Sequence, residues 1–194
     1  PRAQGLAKPE GEHQDVEEII QRIRQWPTRF VVLTGGEPMI APGIRTLCET
    51  LARENYHLTI ETAGTIPPEA TPCHLASISP KLAHSTPDPN QFGQGWTLRH
   101  EQSRWQPEIV AAWIARGEYQ LKFVLRDRSD YEEVRSCLSQ LPTVPPDRVL
   151  LMPEGRDPAI LWQRARDLAI LCKETGHRLS PRLQIDLFGD RRGT

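Results

Sequence analysis

Paired cysteines are missing from this chain. Its four cysteines, Cys48, Cys73, Cys137 and Cys172, stand singly with no Cys-x-x-Cys spacing, which excludes a disulfide scaffold and a thiolate metal site. Cys48 and Cys172 fall beside Leu47 and Leu171 in helical patterns and read as buried thiols. The histidines lack metal-type spacing, and His57, His74 and His177 read as surface or satisfied residues. Blocks of like charge are also absent, and the net charge is −1, so neither nucleic acid nor an anionic membrane is the main partner. No apolar run approaches the roughly 20 residues of a membrane span. Residues 1–13 lack the apolar core of a signal peptide, and a reducing cytoplasm is the default compartment. The chain starts at Pro1 rather than Met and reads as a fragment; 194 residues suit one domain spanning 1–194.

What is present is a rhythm of strands and helices. Val16, Ile19, Ile20 and Ile23 repeat at helical spacing, with Gln14 and Asp15 as candidate caps. The runs at 30–33, 58–60, 75–78, 119–125, 149–151 and 183–188 read as strands. Helices are expected from Pro42, over 107–116, near 129–140 and near 158–175, while residues 82–105 are polar, aperiodic and expected to form a long loop. This alternation predicts an α/β fold with a parallel sheet whose strands are buried on both faces.

Thr34-Gly35-Gly36-Glu37-Pro38 follows the apolar run Phe30-Val31-Val32-Leu33. Two adjacent glycines let a ligand lie against bare backbone, and the Glu37 carboxylate accepts bonds from an ammonium group. The combination suits the amino-acid end of a cofactor; a phosphate cradle would want Lys or a helix N-terminus there. An ordinary Gly-rich turn would look similar, but three more polar turns also follow strands: Glu61-Thr62-Ala63-Gly64, Ser79-Pro80-Lys81 and Met152-Pro153-Glu154-Gly155. In parallel sheets ligands bind at the C-terminal strand edge, so these turns converge on one rim. Lys122 stands mid-strand among apolar neighbours, where an unpaired ammonium is costly. It points into a barrel toward a carboxylate such as a substrate's, or it pairs with a structural acid.

The Gly-Gly-Glu-Pro motif resembles the strand-end motif that receives the methionine portion of S-adenosylmethionine (SAM) in radical SAM enzymes. The ordered set with Glu61 to Thr65, Ser77 to Lys81, Gln120 to Val124, Leu151 to Gly155 and Leu187 to Thr194 resembles, more narrowly, 7-carboxy-7-deazaguanine synthase, from about residue 9 to the C-terminus. The resemblance implies a partial (β/α)6 barrel. It also implies a lyase reaction of queuosine biosynthesis, the SAM-dependent radical rearrangement of 6-carboxy-5,6,7,8-tetrahydropterin to 7-carboxy-7-deazaguanine with loss of ammonia. By the same resemblance Gly35, Gly36, Glu37, Gly64, Ser79, Pro80, Lys81, Met152, Pro153, Glu154 and Gly155 would bind SAM. Thr62 and the α-carboxylate of Thr194, turned inward at Gly193, would bind the pterin. A 4Fe–4S cluster, Mg²⁺, a flavodoxin- or ferredoxin-type electron donor and a homodimer are implied as well. Independently of the resemblance, the length and aperiodicity of 82–105 suggest a lid or rim over the substrate offering Arg99, His100 and Arg104, with a disordered surface loop as the alternative.

The family's three closely spaced N-terminal cysteines, and the Asp-Thr pair whose Thr helps bind Mg²⁺, are not in this sequence. The chain therefore reads as the C-terminal three-quarters or so of an enzyme, lacking the barrel's first strand, the cluster loop and any metal ligand, and inactive in radical chemistry by itself. Two alternatives remain at this point: another radical SAM enzyme of the glycyl-radical activase kind, or a cluster-free SAM- or pterin-binding protein without catalysis.

Overall fold

The computed structural model describes residues 13–191. Six strands form one sheet in sequence order, and every neighbouring pair is parallel. They are β1 (Phe30–Leu33), β2 (His57–Thr62), β3 (Leu75–Ile78), β4 (Tyr119–Leu125), β5 (Val149–Pro153) and β6 (Arg178–Leu179). The connecting helices are α1 (Val16–Arg24), α2 (Ile44–Arg53), α3 (Pro89–Phe92), α4 (Gln94–Ser103), α5 (Pro107–Ile114), α6 (Tyr131–Ser139), α7 (Pro158–Thr175) and α8 (Leu183–Phe188). Local chemistry starts them where the sequence suggests. Asp15 and Glu18 close a capping box on α1, with Asp15 N donating to Glu18 at 3.3 Å. The Asp157 carboxylate caps α7, accepting from Ala159 N at 2.8 Å and Ile160 N at 3.1 Å.

The expectation of strands buried on both sides holds for most of β3 and β5, where Ala76 to Ile78 and Val149 to Leu151 are all buried, and fails on β2 and β4, whose two faces differ. On β2, Leu58, Ile60 and Thr62 are buried while His57, Thr59 and Glu61 are half-exposed. On β4, Tyr119, Leu121, Phe123 and Leu125 are buried while Gln120, Lys122 and Val124 are half-exposed. The register sets Phe30 beside His57 and Val32 beside Thr59, so the half-exposed face continues across β1. The buried face packs under α2, α5 and α7. Hydrophobic burial on that face holds the fold, and the other face is partly exposed and carries the polar residues Glu61, Ser77, Gln120 and Lys122.

Two further expectations fail. Residues 82–105 are not a structureless loop: they carry a 3-10 turn at Ala83–Ser85, then α3 and α4. The short polar helices give no apolar stripe to read; Trp96 and Leu98 of α4 remain exposed. Leu183–Phe188 is a helix, α8, rather than the last strand. The apolar–polar alternation of Leu183 to Leu187 imitates a strand, but Arg178–Leu179 already occupies the place beside β5, and only Ile185 of α8 is buried.

Trp113 of α5 is 1% exposed and its indole Nε1 donates to the Ile66 carbonyl at 2.9 Å. Trp113→Phe keeps most of the packing but leaves that carbonyl without its donor, and should cost about 1–3 kcal/mol in urea unfolding. Trp113→Ala adds a cavity and should cost about 3–5 kcal/mol.

Candidate active site at the strand C-termini

Because all strands run the same way, the turns after β1, β2, β3 and β5 leave the sheet at one rim. After β1 the chain turns through Gly35, whose φ of +143° favours glycine. A Cβ built on Gly35 or Gly36 would meet nothing within 4 Å, so both present open backbone. Glu37 follows and caps the short 3-10 turn at Pro38–Ile40, accepting from Met39 N at 3.3 Å. Its carboxylate also accepts from Thr62 Oγ1 at 2.9 and 3.0 Å and from Ala63 N at 2.9 Å. The acceptor that the sequence offers to an ammonium group is thus partly engaged by protein donors, with Oε1 the less crowded oxygen.

The tie also runs the other way. Glu61 accepts from Thr34 Oγ1 at 3.0 Å and from Lys122 Nζ at 3.1 Å. Thr34 and Glu37 flank the two glycines, so both ends of the turn are fixed to β2. Of the two options for Lys122, the structure shows the protein acid. Burial alone would raise the Glu61 carboxyl, but the charge and bond of Lys122 and the bond from Thr34 outweigh it and hold the group below its ordinary value.

Gly64 has φ +72°, and a Cβ there would approach Val110 Cγ2 at 2.9 Å and Ile78 Cγ2 at 3.0 Å. Packing and backbone conformation therefore require this glycine whatever ligand passes. Thr62 is 2% exposed; its hydroxyl donates to Glu37 and accepts from Gly64 N at 3.0 Å. Ser79 and Pro80 are buried at the end of β3, with Ser79 N donating to the Thr62 carbonyl at 2.7 Å. Met152 shares the open face with Val124, and Pro153 ends β5. Glu154 is held by Arg164, which bonds both its carbonyl and its carboxylate at 2.5 Å, and Gly155 turns at φ +140°.

Lys81 has exposed surface, yet desolvation by the surrounding protein, and then Lys122 and Arg182 nearby, lower its ammonium from the usual lysine value against the pull of Glu37 and Glu61. The like-charged neighbours support the direction independently of its exposure. Sequence reasoning passed over Thr34 as a side chain, and over Arg182. A signal for Arg182 was available: Ser180-Pro181-Arg182 after β6 repeats the Ser-Pro-cation pattern of Ser79-Pro80-Lys81, and Arg182 Nε donates to the Pro153 carbonyl at 3.2 Å.

Of the residues expected on a lid, Arg104 is tied to the body of the domain, while His100 and Arg99 meet neighbours within 82–105 itself. Arg104 bonds Glu133 at 2.5 Å and Glu101 at 3.1 Å, His100 lies within 3.4 Å of Ser85 and 3.2 Å of Thr86, and Arg99 stacks over Trp96. His74 Nδ1 accepts from Leu58 N at 3.0 Å, and His177 bonds Tyr131 and the Pro146 carbonyl. His57 stacks on His74, and its Nδ1 is buried without a partner. Gly193 and Thr194 lie outside the described residues.

The open glycine turn, with a carboxylate beside it, fits the methionine end of SAM. A cluster does not fit. Among the described residues no group of three or more His, Cys, Asp or Glu could hold a metal ion. Burial pushes the Cys48 and Cys137 thiols up to about 11, which disfavours the thiolate a cluster needs. Nor is any described helix long and apolar enough to cross a membrane.

Known proteins match the chain along most of its length. A 7-carboxy-7-deazaguanine synthase of Halobacterium salinarum is 40% identical over 185 residues, covering 90% of this chain and 71% of its own. The chain belongs to the 7-carboxy-7-deazaguanine synthase family. A synthase of Rhodopirellula baltica is 38% identical over 188 residues, covering 96% of this chain and 72% of the relative. The crystal structure of QueE from Escherichia coli superposes with a TM-score of 0.60 at 21% identity, covering 87% of this chain and 64% of that one. The likeness shows the same fold, a parallel sheet with helices that does not close, as in a partial barrel. No protein-family model matches the chain. Membership removes the glycyl-radical activase alternative.

A depressed carboxyl stabilises the fold above its unfolded pKa of about 4.3, and that contribution is lost as pH falls through the lower folded value. Wild type should therefore have a higher urea midpoint than Glu61→Gln at pH 7, and the difference should shrink as pH falls below about 4.3. A difference that grows in acid would contradict the ion pair.

Proposed function

We propose that this chain forms the SAM-binding rim and part of the pterin pocket of an enzyme that rearranges 6-carboxy-5,6,7,8-tetrahydropterin to 7-carboxy-7-deazaguanine. The observation that carries the reading is the open Gly35-Gly36 turn, held at both ends to β2 through Thr34–Glu61 and Glu37–Thr62 and standing on one rim with the turns after β2, β3 and β5. SAM, when bound, supplies the radical chemistry of this family; the chain's own residues bind and orient. Gly35 and Gly36 offer main-chain carbonyls to the methionine ammonium, and Glu37 adds its less crowded oxygen. Lys81, with Ser79, Pro80 and the Met152 to Gly155 segment, lines the cofactor's path along the rim. Gly64 brings backbone close to it. Thr62 fixes the adjoining turn at the pterin, whose amino-pyrimidinone edge has parallel donors that a terminal carboxylate at Thr194 accepts in one plane.

The cluster and Mg²⁺ belong to residues other than those described, and radical turnover requires them. This chain by itself is therefore inactive. The electron donor is a flavodoxin or ferredoxin, the assembly a homodimer and the compartment the cytoplasm. A cluster-free binding protein remains the rival reading.

Calorimetry with SAM tests the rim. Glu37→Gln turns one acceptor into a donor facing Thr62 or Ala63 and removes a charge beside the ammonium. It should weaken SAM binding by about 1.5–3 kcal/mol. Unchanged affinity would take Glu37 out of the site. In the complete enzyme, extending the chain beyond Thr194 should raise the KM for the pterin and leave SAM binding intact. Full activity with such an extension would exclude the terminal carboxylate, and turnover by this chain without added cluster ligands would refute its inactivity.

A further inference from the structure

Glycine turns do not hold themselves: Gly35 and Gly36 have no side chains, and nothing packs where a Cβ would stand. Their shape is set by the residues on either side. The Glu37 end is tied to Thr62 and Ala63, a link that involves β1 and β2 alone. The Thr34 end is tied differently. Thr34 Oγ1 donates its one proton to Glu61 Oε2 at 3.0 Å, and Glu61 Oε1 accepts from Lys122 Nζ at 3.1 Å. Lys122 belongs to β4, so its side chain crosses the open face of β3 to reach β2.

The lysine side chain is 14% exposed and the glutamate 37%. A mid-strand ion pair of this kind is a poor way to gain stability, because desolvation offsets much of the attraction and apolar side chains of similar volume do as well. What an apolar pair cannot do is fix a carboxylate in one orientation for Thr34. Truncating Lys122 would remove the cation bonded to Glu61, leaving a partly desolvated carboxylate with the unbonded Lys81 charge nearby, free to turn toward solvent and release Thr34.

We propose that Lys122 is a positioning residue for the methionine end of SAM, acting through Glu61 and Thr34 on the Gly35-Gly36 turn rather than by touching the ligand. The inference rests on the reading that this turn receives SAM. It makes the cofactor site depend on a strand that none of the glycine motifs lies on, and it divides the labour between the two carboxylates. Glu37 anchors the far end of the turn and faces the ligand; Glu61 anchors the near end and faces Lys122.

Calorimetric titration of the chain with SAM, paired with thermal melting of each variant, tests it. Lys122→Met should weaken SAM binding about tenfold, which is ~1.4 kcal/mol. Lys122→Arg, which restores a cation, should recover most of the loss. The double variant Lys122→Met with Glu61→Gln should bind within about threefold of wild type, ~0.65 kcal/mol. The glutamine carbonyl still accepts from Thr34 there, and no charge is left to desert it. A lysine serving only the fold would lower melting temperature in Lys122→Met without this pattern of rescue. Should Lys122→Met fail to fold, Lys122→Gln takes its place: a loss of SAM affinity that Glu61→Gln restores supports the inference, and wild-type affinity in folded Lys122→Gln overturns it. Wild-type affinity in a folded Lys122→Met also overturns it. Absence of SAM binding by the wild-type chain would instead remove the underlying reading of the turn, and this inference with it.

Discussion

The Glu37 carboxylate accepts from Thr62 Oγ1 and Ala63 N across the gap between two strand ends, and the shape of the whole rim follows from that link. Thr62 is buried, so its hydroxyl cannot turn to water for a substitute acceptor. Its lone pair in turn receives Gly64 N, and its carbonyl receives Ser79 N. One carboxylate thereby sets the path of three successive turns. The same geometry explains the residue types: Gly64 leaves no room for a side chain, while Gly35 and Gly36 leave the solvent side bare.

Division of the sheet into a helix-covered face and an open face separates the tasks of folding and binding. Leu58, Ile60, Leu121 and Phe123 are fully buried on one side. Glu61, Ser77, Gln120 and Lys122 lie on the other, with Gln120 Nε2 donating to Ser77 Oγ at 3.0 Å. A polar layer inside an otherwise apolar domain is tolerable because its members bond one another.

Much of this was legible in the sequence, and the failures have physical causes. Strands at 30–33, 75–78 and 119–125 are short apolar runs bounded by turn residues, which a local reading captures. Leu183–Phe188 alternates like a strand yet is helical, since the slot in the sheet is decided by pairing with β5 and not by local pattern. Residues 82–105 fold into short helices held by side-chain bonds such as those of Arg104 and Asp88, which periodicity does not record. The motifs showed that four turns share a rim. They could not show that Glu61 takes Lys122, because the partners are 61 residues apart and on strands that are not neighbours.

Strand order equal to sequence order has a consequence for how such a chain is made. Each new strand finds its partner in the strand synthesised just before it, across a single connection. Pairing never has to wait for a distant segment, so the sheet can grow by addition as the polypeptide leaves the ribosome. The bond between Lys122 and Glu61 is an exception to this neighbour-by-neighbour growth. It forms only after β4 has docked beyond β3, so the near end of the glycine turn is fixed later in synthesis than the far end.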